Sequence, residues 1–323
     1  MITRKPTRMT ASALALIAAA AACTEADTTP PADGSAIAQL SSGTTAASVE
    51  MATTDGSPGP IPTGAEPQPP GNGVTYGDAE AVYRKGRYAD AAELFDGFIA
   101  TQPRSTRGHY MLGLSAWKAG DRGRAERALS RAVELDNAHV KARTNLSRVL
   151  LEQGRAADAL PHIERAAELA PASHEVWRVL GNVKSELGRG EEAIAAYRHA
   201  LIRNERDAWS MNNYGLVLIE QGRYEEAVPP LARAVELVPG SPVFLNNLGV
   251  ALERIGELAA ARAVFASAVD ADSTFTKAKI SLERVRARIG DAPLTEPDLS
   301  TFAAEFIAEM QRWREARPEH DGC

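Results

Sequence analysis

The fold is decided between Ala208 and Ser241, in the stretch AWSMNNYGLVLIEQGRYEEAVPPLARAVELVPGS. Met211, Tyr214, Gly215 and Leu218 fall at i, i+3, i+4 and i+7, one stripe of an α-helix. Ala227, Leu231, Ala234 and Val238 form a second helical stripe at i, i+4, i+7 and i+11. Gly222 lies between them and supplies the positive φ that a tight helix-to-helix turn often needs. Pro239 stops the second helix. The stretch reads as a helical hairpin.

The hairpin repeats. Gly86, Gly120, Gly154, Gly188, Gly222, Gly256 and Gly290 are each 34 residues apart. Ala91, Ala125, Ala159, Ala193, Ala227 and Ala261 keep the same step, five residues after the first six glycines. A small residue suits that place because neighbouring helices approach closely there and a larger side chain would overpack. This pattern resembles the tetratricopeptide repeat, with Met211, Tyr214, Gly215, Leu218, Ala227, Leu231, Ala234 and Pro239 at its signature positions. The resemblance implies an all-α solenoid, a right-handed superhelix of about six hairpins.

On this register the repeats run 72–105, 106–139, 140–173, 174–207, 208–241 and 242–275, giving a solenoid over 75–289. In the first, Thr75, Asp78 and Ala79 replace early signature residues, so its first helix is expected to be short and to start near Tyr76. Pro161 and the pair Pro229-Pro230 fall early in second helices, where a proline should be tolerated. Residues 276–289 resemble the terminal helix that caps such arrays, with Ala278, Leu282, Val285 and Ile289 inward. A further amphipathic helix is predicted from Leu299 to about Arg317, with Leu299, Phe302, Phe306, Met310 and Trp313 in its stripe. The short connection from Gly290 to Pro297 suggests that it folds back on repeat six and the cap helix, with the concave groove of its own chain or a partner as the alternatives.

The segment before the repeats reads as a leader and a tether. Arg4, Lys5 and Arg8 precede an apolar run, Ala11 to Ala22, too short to span a bilayer comfortably. Ala20-Ala21-Ala22-Cys23 resembles a bacterial lipobox, although Ala20 stands where leucine is preferred; Cys23 is then the lipidated residue. Ordinary cleavage after an Ala-x-Ala is the alternative. Thr24 is compatible, by that resemblance, with delivery to the periplasmic face of the outer membrane. Residues 24–74 are rich in Pro, Thr, Ala, Ser and Gly and carry no Lys or Arg, a composition expected to be disordered. At roughly 5–6 Å per square root of residue number, such a tether reaches about 40 Å.

Charge and motif content exclude more than they suggest. The chain of 323 residues has 36 basic and 42 acidic groups; removing the leader's three cations leaves 33 against 42, a net −9. That balance argues against a nucleic-acid partner. The two cysteines, Cys23 and Cys323, cannot build a disulfide framework or metal site, and the six histidines are scattered. No phosphate loop, CxxC or HExxH is present, so no enzyme, metal or cofactor is indicated. The sequon at Asn145 falls inside a predicted helix and is not expected to be glycosylated.

The resemblance further implies a concave groove lined by the first helix of each hairpin. Carried onto this chain, its positions include Tyr110, Trp117, Asn145, Arg148, Arg178, Asn182, Trp209, Asn212, Asn213, Asn246 and Asn247. Asn145, Asn213 and Asn247 recur at one position and resemble the asparagine ladder that grips a peptide backbone, since an amide both donates and accepts. Binding is expected chiefly around Asn213 and Asn247. A carboxylate clamp is approximated by Arg178, Asn182 and Asn213, but Val243 and Asn247 stand where its last two cations belong. The whole resembles repeat lipoproteins of pilus and secretin assembly. An adaptor for cell-wall hydrolases, or a non-catalytic subunit of an envelope enzyme, fits the sequence equally.

Overall fold

The computed structural model describes residues 73–290 and 297–316. The leader, the Cys23 lipidation site, the tether to residue 72 and Cys323 lie outside the described residues. Fourteen helices and no strand are found among the described residues. The first hairpin is α1 (Tyr76–Arg84) and α2 (Tyr88–Thr101), the second α3 (Thr106–Lys118) and α4 (Arg122–Leu135). Then come α5 (Val140–Glu152) with α6 (Ala156–Leu169), and α7 (His174–Glu186) with α8 (Gly190–Arg203). Repeat five is α9 (Ala208–Glu220) and α10 (Tyr224–Leu237), and repeat six is α11 (Pro242–Arg254) and α12 (Leu258–Ala271). The cap helix is α13 (Thr276–Ile289) and the last helix α14 (Ser300–Glu315). None of these is long and apolar enough to cross a membrane.

The 34-residue step has two physical supports. Gly222 takes φ +74°, as its six periodic counterparts also take positive φ, which closes each turn without strain. Inside the hairpin, Gly215 faces Leu231 so closely that a Cβ would lie 2.5 Å from the leucine Cγ. Repeat three places Ser147 at that position, and its hydroxyl donates to the carbonyls of Arg143 and Ala159. The periodic alanines, Ala91 through Ala261, are fully buried. Each first helix packs on its own second helix and also on the next first helix, whereas successive second helices make no comparable contact. The first helices therefore form the inner, concave wall and the second helices the convex one.

Several sequence expectations need adjustment. Val238 is not part of the buried stripe: the helix ends at Leu237, and Val238 is its C-cap, 43% exposed where the chain turns out. Thr75 and Asp78, which break the repeat signature, instead make a capping box that starts the nine-residue α1. The prolines leave α6 and α10 continuous, but not for the expected reason. Pro161, Pro229 and Pro230 sit at the sixth or seventh helical residue, beyond the four free N–H groups. The carbonyls left without helical donors opposite the pair belong to Glu225 and Glu226, whose residues are exposed to water.

The last helix docks elsewhere than repeat six and the cap. Gly290, at φ +72°, redirects the chain, and Arg262 of α12 donates to the Gly290 carbonyl at 2.6 Å. α14 then lies on the convex wall, chiefly against α10 and also against α8. The cap helix offers it charged Lys279, Glu283 and Arg286, while α10 offers buried Val228 and Ala232. Phe306 and Met310 are buried there, with Phe306 and Trp313 each 5.9 Å from the Tyr214 ring. Arg198 of α8 sits 4.9 Å over the Trp313 ring, and Arg314 pairs with Glu205 at 2.5 Å. Replacing Phe306 with alanine removes the central contact at about 3 kcal/mol. At roughly 2–4 °C per kcal/mol the thermal midpoint should fall by about 6–12 °C, read by circular dichroism. An unchanged midpoint would show that α14 contributes nothing to stability.

Candidate concave binding site

The inner wall presents a connected row of side-chain amides. Asn247 donates to Asn212 at 2.9 Å, Asn212 to Asn213 at 3.0 Å, and Asn213 to Asn182 at 2.9 Å. Tyr197, wholly enclosed on α8, donates its hydroxyl to the same Asn182 oxygen at 2.8 Å. Four amides from three repeats are thus oriented by one another. Earlier in the array Asn145 donates to the Tyr110 hydroxyl at 3.3 Å, in the register that joins Asn247 to Asn212. Arg148 bridges Asn145 and Glu175.

Exposure separates these residues. Asn182 and Asn213 are half-buried, as are Tyr110, Trp117, Arg148, Arg178 and Trp209, so they can be reached from the groove. Asn212 and Asn246, at 2% exposure, and Asn247 at 6% lie within the wall, with Asn145 at 7%. Asn246 Oδ1 is buried with no partner. By the period it should receive an amide from the next unit, but Ser281 stands there and is too short. The row ends at this point.

The charged groups of the groove are mostly paired. Glu152 accepts from Trp117 Nε1 and from Arg122, both at 2.8 Å. Arg178 is held by Asp207 at 2.9 Å, which leaves the carboxylate clamp without its first cation as well as its last two. The Tyr110 ring lies tilted, 4.9 Å from that of His139, and burial pushes the Tyr110 hydroxyl pKa up and the His139 imidazole pKa down. Glu186 and Glu220, one repeat apart, make no ion pair among the described residues. Desolvation raises both carboxyls, and the charge of Glu186 adds to the rise at Glu220. No group of three or more His, Cys, Asp or Glu able to hold a metal is found among the described residues.

Asp207 is not among the residues that the groove pattern picks out, although an Asp just before an apolar run is a helix-start signal. It is the N-cap of α9 and joins that helix to α7 through His174 and Arg178. Burial raises its pKa, but the hydrogen bond from His174, the Arg178 charge and the Ser210 bonds outweigh it and hold the carboxyl at about 2. A depressed folded pKa stabilises above the unfolded carboxyl range and is lost as pH falls through it. The shift corresponds to about 2 kcal/mol at neutral pH. Asp207→Asn should remove about that much at pH 7 and flatten the loss of stability between pH about 5 and 2. Urea midpoints across that range measure it, and parallel pH curves for the two proteins would contradict it.

Comparison with known proteins fits this architecture. Family models described as tetratricopeptide repeat match residues 110–174, 178–242 and 218–289, together more than half of the chain. The chain belongs to the tetratricopeptide repeat family. Among solved structures it is similar to the APC/C hetero-tetramer Cut9-Hcn1, with a TM-score of 0.58 and 15% identity over 64% of this chain and 41% of that one. TTC0263, a thermophilic repeat protein of Thermus thermophilus, gives 0.49 and 21% over 57% of this chain and 100% of its own. YrrB, described as a repeat protein with an unusual peptide-binding site, gives 0.46 and 21% over 59% and 99%. At these identities the likeness concerns the fold alone. No curated protein matches the sequence.

Proposed function

We propose that this chain is a lipid-anchored scaffold of a bacterial envelope whose concave wall holds an extended segment of a partner protein. The observation that carries the groove reading is the amide row. Asn182 and Asn213 are reachable from solvent, while their neighbours and Tyr197 fix their orientation. Amides already oriented pay less entropy on meeting a peptide backbone. The two unpaired carboxylates, Glu186 and Glu220, favour a lysine or arginine on the bound segment, whose charge would relieve their repulsion.

Each net hydrogen bond to the backbone is worth about 1 kcal/mol. Asn182→Ala with Asn213→Ala should therefore weaken binding by about tenfold or more at unchanged helix content. Asn212→Ala with Asn247→Ala should act mainly on stability, because those amides lie within the wall. The partner for this titration is the protein captured by crosslinking in the envelope. Pilus or secretin subunits would support a role in assembling those machines, and cell-wall hydrolases would redirect it to recruitment. Equal affinity of wild type and the Asn182/Asn213 variant would remove the groove reading.

The anchor rests on Cys23, the cysteine that ends a short apolar run ahead of an acidic, proline-rich segment. The outer membrane, periplasmic face, is the proposed site. Wild type should take up a palmitate analogue and pellet with membrane, while Cys23→Ser should do neither. Equal labelling of the two would exclude lipidation at this residue.

A further inference from the structure

The turn between repeats two and three is tied by imidazoles. α5 begins at Val140, and its N-cap is His139, whose Nδ1 accepts the Ala142 N–H at 3.1 Å. The first helices of the other five repeats are capped through an oxygen, by Thr75, Ser105, Ser173, Asp207 and Ser241. One turn into α5, buried Arg143 reaches back to the same turn and donates to the carbonyl and the side-chain oxygen of Asn137. Its Nη1 donates to His162 Nδ1 of α6 at 3.4 Å. A backbone amide and a guanidinium can only donate, so Nδ1 of each ring must offer a lone pair. The single proton of each neutral ring then sits on Nε2.

We infer that repeat three is an acid-sensitive joint, in which protonation of His139 and His162 in mildly acidic solution releases the start of α5. A proton on His139 Nδ1 removes the cap and sets a positive charge against a helix N-terminus, the wrong end of its dipole. A proton on His162 Nδ1 turns a second cation toward Arg143. The other described histidines are placed differently. His174 Nδ1 faces the Asp207 carboxylate and His109 Nε2 the Pro103 carbonyl, so a proton suits either bond. His199 meets Arg203, whose Nη1 also donates to the His199 carbonyl at 2.7 Å.

Burial lowers the pKa of both imidazoles, and the Arg143 charge adds to the fall at His162. Asp136 at the end of α4 opposes the fall at His139 and Lys141 of α5 adds to it, while Tyr110 of α3 lies beside the ring. Asp158 opposes the fall at His162; Arg165, whose charge bears on Arg143, is paired with Glu168. α7 brings Glu175, held by Arg148 at 2.6 Å. A depressed imidazole pKa contributes stability that is present above the ordinary value of 6.5 and lost as pH falls below it through the folded value. α5 carries Asn145 and Arg148, so its loosening unsettles the middle of the concave wall. That consequence rests on the groove reading; the acid sensitivity does not.

Hydrogen exchange of the full chain, read by mass spectrometry and corrected for intrinsic rates, tests this between about pH 7.5 and 5.5, above the window in which Asp207 titrates. Wild type should lose protection about tenfold over residues 140–152 as pH falls, the combined worth of a cap and a charge at a helix start. His139→Ser with His162→Gln keeps both acceptors without a titrating ring, and its protection should stay constant. Equal losses in the two proteins overturn the proposal. Should the double variant fail to fold, the imidazole nitrogen NMR signals of wild type decide. For His139 and His162 an unprotonated Nδ1 at neutral pH and midpoints below 6.5 are expected. An Nδ1–H tautomer, or a midpoint above 6.5, overturns it. Neither measurement needs a partner, so failure here is distinct from failure of the groove reading.

Discussion

The contact on which the array depends is the close approach of the two helices in each hairpin. At Gly215 there is no room for a Cβ against Leu231, and Gly113, Gly181 and Gly249 meet Leu129, Tyr197 and Phe265 in the same way. Glycine stands there in four repeats, with the small alanine Ala79 in repeat one and the small serine Ser147 in repeat three. The residue opposite can then be leucine, isoleucine, tyrosine or phenylalanine without altering the spacing. This freedom matters for function, because Tyr197 uses the slot above Gly181 to reach through to the amide of Asn182. A packing position in the hairpin thereby supports the groove.

Periodicity made most of the fold legible. The glycine and alanine registers fix helix type, hairpin count and the cap helix, because each states a steric need that recurs at every repeat. What the register could not reveal lies where the chain stops repeating. Thr75 and Asp78 read as departures from a signature, and they are a helix start. The seat of α14 departs from expectation because a short connection says how far a chain can go, not which surface it reaches. At the end of the cap helix, Gly290 takes a positive φ and its carbonyl is held by Arg262, 28 residues earlier on a different helix. The apolar stripe of α14 is visible in the sequence, but the convex surface that matches it exists only once Val228, Ala232 and Tyr214 are assembled.

The candidate groove was legible in part for a similar reason. Position within the repeat identifies which side chains face the concave side, and it places Asn182 and Asn213 there. It does not tell whether a polar group is spent on a neighbour. Asn247 and Asn212 satisfy each other across a repeat boundary, and Arg178 is taken by Asp207. Such bonds are decided by distances between helices, which a single repeat does not encode. Buried amides are costly unless paired, so the inner residues of the row are better viewed as its frame. The half-buried ones are the surface that a ligand meets.

Neighbouring residues on one helix necessarily serve opposite faces of so thin an array. Asn213 belongs to the amide row, and the next residue, Tyr214, lies under α14. On α8, Tyr197 supports Asn182, and Arg198 donates to the Tyr214 hydroxyl at 3.2 Å beneath Trp313. The concave row and the convex seat therefore share two helices and two adjacent residue pairs. A solenoid has no deep interior to separate its surfaces, and each helix is both wall and core. The polar frame of the groove is therefore backed in repeats four and five, where α14 lies across the second helices from outside. At repeats one and two no helix among the described residues lies across the second helices in this way.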